Sequence, residues 1–151
     1  MFFLLLILFF LILLYNFSCF KKSEEKEDEK KLRKISKTIL QNCNTNKSKD
    51  QWAREGIHKL PFITFTTSPE GTFTKNKKHI TICNEKELSN EIKIYSLLHE
   101  LSHAINKESV NHDQSFIYTF QELLNAAEQE KYLKSNKIEQ FRNQAVCGTS
   151  L

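Results

Sequence analysis

The chain has 151 residues, 40% of them hydrophobic, and its 22 Lys and Arg against 18 Asp and Glu leave a formal charge of +4. That length holds one small domain once the unusual ends are set aside, and it excludes a multidomain machine. The positive charge is spread along the chain, interrupted by acids and carried almost wholly by lysine, so it makes no case for specific nucleic-acid recognition. With only 3 glycines there is no glycine-rich phosphate loop either.

Phe2 to Leu14 is continuously apolar, and the run extends through Tyr15, Phe17 and Phe20. A membrane span needs about 20 predominantly apolar residues, and Tyr15, Phe20, Lys21 and Lys22 form an interfacial border. Residues 1–20 are therefore expected to be a transmembrane anchor. A cleaved signal peptide fits less well, because no basic region precedes the run and no small-x-small site precedes the lysines. Lys and Arg are absent before the segment and abundant after it, so the positive-inside rule predicts a single-pass membrane protein with its domain on the cytoplasmic side. Residues 21–31 mix charges of both signs and predict a solvated linker.

From Leu32 the pattern changes. Leu32, Ile35, Ile39 and Cys43 recur at helical spacing and predict an amphipathic helix packed on a domain over residues 32–135. After a polar stretch from Asn42 to Asp50, Trp52 and Ile57 anchor a short helix expected to end near Gly56. Three short strands follow as a meander, hence an antiparallel sheet: Phe62–Thr66, Thr72–Thr74 and Lys78–Cys83, with turns at Ser68–Gly71 and Lys75–Lys78. Ser89 and Asn90 offer an N-cap and Glu91 a first-turn carboxylate, while Ile92, Tyr95, Leu98 and Ile105 form a helical stripe reaching about Lys107. Ser109–Val110–Asn111 reads as a turn. Asp113 can N-cap the next helix, whose inward stripe is Phe116, Ile117, Phe120, Leu123, Leu124 and Ala127. Residues 136–151 read as a polar tail. Cysteines at 19, 43, 83 and 147 lack C-x-x-C spacing, which argues against a second metal site. Reduced thiols suit a cytoplasmic domain, with Cys83 a buried small hydrophobe.

The chemistry sits within the stripe, at His99-Glu100-Leu101-Ser102-His103. Histidines four apart rise from one helical face on successive turns, so both imidazoles can reach one Zn²⁺. Glu100 follows the first ligand directly and points to one side of the metal, where it can take a proton from water. A catalytic zinc needs a third protein ligand and an open position. His112 is the first candidate, because a short connection brings it back from the end of the motif helix. Glu122 and Glu128 on the following helix compete for the role. Tyr95 and Tyr118 could be considered as oxyanion stabilisers, but packing or surface positions explain them better.

The stretch HITICNEKELSNEIKIYSLLHELSHAINKESVNHDQSFIYTFQELL resembles the WLM-like group of zinc metallopeptidases, relatives in architecture of the SprT-type proteases. The resemblance is carried by a strand of the form I-x-I-C, a helix bearing L-H-E-L-S-H, and an H-x-x-x-F segment with His112 and Phe116. It covers about residues 79–124, and the chain departs from the pattern in having no glycine between His103 and His112. It implies an α+β, zincin-like domain in which a short antiparallel sheet packs on the motif helix and its flanking helices. It also implies Zn²⁺ as cofactor, His99, His103 and His112 as ligands, and Glu100 as general base.

The expected function is thus a membrane-anchored zinc metallopeptidase acting on a protein or peptide substrate. Two alternatives compete with it. One is a non-catalytic membrane-tethered adaptor whose zinc braces two helices, with the fourth position closed by Glu122, Asp113 or a cysteine. The other is a zinc hydrolase of a non-peptide amide.

Overall fold

Helical periodicity begins at the N-terminus and continues through the charged residues, so that α1 runs Phe2–Asn46 as one helix. The computed structural model describes residues 2–46, 51–106, 112–141, 145–146 and 149–150. Along α1, Leu32, Ile35, Ile39 and Leu40 are buried at the predicted helical spacing. Arg33 anchors this half by donating to the carbonyls of Leu60 and Ile63, both at 2.7 Å, and its guanidinium lies 5.2 Å from the centre of the Phe65 ring.

The N-terminal half behaves differently, since Leu6 to Tyr15 are all exposed. Among the described residues no helix is long and apolar enough to cross a membrane. This overturns the expected transmembrane anchor over residues 1–20, and with it the single-pass membrane placement of a domain on the cytoplasmic side. The physical reason lies in the helix itself. The apolar run is not a helix of its own, because α1 carries on from it without a break through residues 21–31, whose described side chains from 26 onward are exposed or half-buried, as a solvated linker requires.

Helix α2 (Gln51–Lys59) leads into a 3₁₀ turn at Leu60–Phe62 that carries Pro61 in its first turn. α2 does not end at Gly56, as the composition suggests, but runs through it. A Cβ there would stand 3.0 Å from Leu40 Cδ2 and 3.3 Å from Ile105 Cγ2, so this glycine serves close helix packing and not a helix stop.

The sheet comprises β1 (Thr64–Ser68), β2 (Phe73–Lys75) and β3 (His79–Cys83) in the order β1-β3-β2. It is mixed, not the antiparallel meander expected. β3 pairs parallel with β1, Phe65 opposite Ile80, and antiparallel with β2, Thr74 opposite Ile80. Burial explains the order: β3 buries Ile80, Thr81, Ile82 and Cys83 and takes the centre, whereas the three-residue β2 is partly exposed and takes an edge. The β2–β3 connection turns at Asn76 and Lys77, whose φ values of 54° and 55° lie in the left-handed region. Asn tolerates that region well.

Beneath the sheet lies α3 (Asn90–Ile105), crossed by α4 (Gln114–Gln129). Leu97, Leu98, Leu101 and Ile105 of α3 join Ile63, Phe65, Ile80 and Ile82 in one α+β core. The core continues into α5 (Ser135–Phe141), where Phe141 is buried with its ring centre 5.8 Å from that of Tyr95. Packing therefore extends beyond residue 135, into the segment expected to be a polar tail. A two-residue pair, β4 (Ala145–Val146) and β5 (Thr149–Ser150), follows. Cys83 is buried as expected but disulfide-bonded, contrary to the expectation of reduced thiols, while Cys43 is a free thiol. The side chains of Cys19 and Cys147, and the turn at Ser109–Asn111, lie outside the described residues.

Candidate metal centre

Two helix starts fix the site. The Ser89 hydroxyl accepts the Ile92 N–H at 3.3 Å and caps α3, which then carries His99 and His103 one turn apart with ring centres separated by 5.1 Å. The Asp113 carboxylate accepts the Phe116 N–H at 2.9 Å and caps α4, placing His112 immediately before the helix mouth. Asn106, the C-cap of α3, donates its side-chain amide to the Ser115 hydroxyl at 3.0 Å, tying the end of one helix to the start of the other.

The result is a convergence of imidazoles. His112 Nε2 stands 3.1 Å from His99 Nε2 and 3.2 Å from His103 Nε2, and one ligand atom from each of the three residues lies within 4.8 Å of the others. The cluster could hold a metal ion. Nitrogens bound to a tetrahedral zinc at ~2.0–2.1 Å stand about 3.3–3.4 Å apart, close to what is found here. The donor chemistry agrees with the spacing. A proton on His112 Nε2 can serve only one of its two neighbours, so at least one pair of nitrogen lone pairs is left facing without a hydrogen bond. A cation at the centre satisfies all three.

Burial keeps the two rings on α3 uncharged, while His112 is exposed. Phe116 is buried against the cluster, its ring centre 4.4 Å from that of His103, 4.6 Å from His112 and 5.2 Å from His99. Phe120 closes the other side at 5.4 Å from His99. Burial, reinforced by His103 and His112, pulls His99 down from 6.5 to about 3. Burial, His112 and Lys77, in that order, pull His103 from 6.5 to about 4. Both are therefore neutral at physiological pH, which is the form that binds metal.

Glu100 points away from the aromatic wall toward the sheet. It is only 5% exposed, and burial pushes its carboxyl above the usual range, a push partly offset by the Thr74 hydroxyl. Thr74 also donates to the Glu100 backbone carbonyl at 3.0 Å, pinning edge strand β2 to the motif helix.

Of the residues singled out from the sequence, His99, His103 and His112 are brought together with Glu100 beside them. Glu122 and Glu128 are not part of the cluster. The Glu122 carboxylate accepts the Asn125 side-chain amide at 3.3 Å, while its backbone carbonyl takes the Cys43 thiol at 3.7 Å; Glu128 accepts the Ser135 hydroxyl. Tyr95 is core, edge-on to Phe120 at 5.3 Å, and Tyr118 is exposed. Thr74, Lys77 and Asn106 escaped the sequence reading. The only signal for Thr74 was strand alternation, which sets it on the face opposite Phe73 and Lys75. No protein-family model, curated protein or solved structure matches the chain.

Proposed function

We propose that this chain is a zinc-dependent hydrolase of peptide bonds, as its resemblance to the WLM-like and SprT-type metallopeptidases implies. The observation that carries the reading is the convergence of three imidazoles with a buried carboxyl on the residue after the first of them. Zinc, when bound, polarises a carbonyl as a Lewis acid and lowers the pKa of water toward ~7. The chain's own residues do the rest. His99, His103 and His112 would hold the ion, their Nε2 atoms being the ones that converge, and Phe116 packs against all three rings. Glu100 accepts a proton from the attacking water and returns it to the leaving amine. Its raised pKa suits both halves of that task, since a base poised closer to neutrality gives the proton back more readily.

An open catalytic site fits better than a closed structural one. Among the described residues the cluster has three ligand side chains. Asp113 is spent on capping α4, and the Glu122 carboxylate is taken by Asn125, outside the cluster. The test is zinc content and peptide cleavage by the purified full-length chain, beside His112→Ala and Glu100→Gln. One zinc per chain, with cleavage abolished in Glu100→Gln while metal is retained, is the expected result. A chain that binds no zinc ends the hydrolase reading. Zinc binding with no cleavage to lose in Glu100→Gln makes the metal a brace between helices. Small amides turned over in preference to peptides would move the reaction to a different substrate.

A further inference from the structure

Beside the metal centre, at the C-terminal end of α3, lies a cavity of about 460 Å³ whose floor is Ala104 and whose walls include Lys59, Phe62, Ile63, Lys77 and Lys78. Ala104 follows His103 directly and stands one helical turn after Glu100, so the cavity lies on the Glu100 face of α3, one turn beyond the carboxyl. Its character differs from that of the metal corner. Three lysines line it and no carboxylate does among the described residues.

Two of those lysines are held in place. Lys59 Nζ donates to the Ile105 carbonyl at 3.1 Å and Lys77 Nζ to the Asn106 carbonyl at 2.6 Å, so both ammonium groups sit on the last carbonyls of α3. A hydrogen bond to a carbonyl holds an ammonium group without taking its charge, and Lys78 stands exposed on the turn beside Lys77. Phe62, 76% exposed, supplies an aromatic wall without cover. Cations above an apolar floor fit a ligand that carries an anionic group on an apolar stem.

We propose that this cavity is a subsite for an acidic side chain of the peptide that the metal centre acts on, with Lys77 and Lys78 as its specificity-determining residues. Its ligand's being a substrate rests on the hydrolase reading; the binding preference itself does not. Its single aromatic wall favours an acidic peptide over a single-stranded nucleic acid, which binds along extended grooves lined by successive stacking aromatics.

The experiment is fluorescence anisotropy with a labelled peptide containing Glu and its Gln counterpart, using the full-length Glu100→Gln chain so that nothing is turned over, with and without zinc. The Glu peptide should bind about three- to tenfold more tightly at low salt, with the gap closing as salt rises. Lys78→Glu, a change on an exposed turn, should abolish or reverse that preference. Equal binding of the two peptides overturns the proposal. So does a Glu preference that Lys78→Glu leaves intact, because the anion then binds elsewhere, and so does an oligonucleotide that displaces the Glu peptide more readily than unlabelled Glu peptide does. A preference lost in Lys78→Glu, in a chain that cleaves nothing, upholds the acidic subsite while the hydrolase reading fails.

Discussion

The two walls flanking Glu100 are held by different physics. On the α3–α4 side, three imidazoles are packed against Phe116, and the two on α3 are kept neutral by burial. On the sheet side, Thr74 and the Asn76–Lys78 turn reach α3 through directional hydrogen bonds to its carbonyls, namely Thr74 to Glu100 and Lys77 to Asn106. The first wall is rigid and apolar, made to hold an ion between two helices. The second is polar and half open, made to set the state of one carboxyl and to meet whatever approaches along the strand edge. Damage to the first should cost metal; damage to the second should leave metal in place and change only how the site works.

The largest effect should come from His112→Ala, which removes a ligand from the helix-borne wall. Zinc affinity should fall by more than the 10- to 100-fold typical of losing an outer-shell partner, and peptide cleavage should disappear with it. Competition against a chromophoric chelator measures the affinity, and parent-like binding by the variant would transfer the ligand role to another residue. Glu100→Gln sits between the walls and should separate them. The expected loss of cleavage is about 10²- to 10⁴-fold, the usual contribution of a positioned general base, at unchanged zinc content.

The apolar wall also makes a stability prediction for the metal-free chain. His99 and His103 stay neutral when folded down to about 3 and 4, against an ordinary value of 6.5. As pH falls below 6.5 the unfolded chain takes up protons that the folded chain refuses. This stabilisation is therefore complete above 6.5 and lost progressively toward pH 3–4. Thermal unfolding of the metal-free chain should show Tm dropping steadily between about pH 7 and pH 4.5. Added zinc, which binds the folded form, should raise Tm most at the upper end of that range, where protons compete least for the ligands. A Tm independent of pH across the window would mean that the rings are not buried neutral.

The walls also differ in how far they could be read from the sequence. A helix converts spacing into position by a fixed period, so His99, Glu100 and His103 were visible as a unit, and Ser89 and Asp113 do cap the helices they were expected to start. His112 was visible because the connection to it is short. Nothing local dictates strand order, however. The parallel pairing of β1 with β3, which leaves β2 at the edge with Thr74 against Glu100, emerges only when burial of Ile80 and Ile82 puts β3 in the centre. The turn at Lys75–Lys78 was readable as a turn, but its place against the end of α3 was not, for the same reason. Residues 1–20 misled in another way: apolar composition suggested a membrane, but α1 continues through the charged residues, and among the described residues its buried stripe begins at Leu32.

The finest test of the contrast is Thr74→Val, which keeps the shape of the strand residue and removes its hydroxyl. Burial raises the Glu100 pKa and Thr74 lowers it, so without the hydroxyl the carboxyl rises further. A base must be ionised to accept a proton, and a higher pKa leaves less of it ionised at any given pH. The acidic limb of the pH–rate profile should therefore move to higher pH. On that limb the rate at a given pH should fall about two- to tenfold, the size expected for one net hydrogen bond of ~0.5–1.5 kcal/mol. Zinc content should not change, because no ligand is touched. If Thr74→Val instead lost zinc, the strand would be bracing the helix on which the ligands stand, and the two walls would be one structure. A variant that kept its metal and moved the acidic limb would confirm that edge strand β2 tunes the carboxyl while α3 and α4 hold the ion.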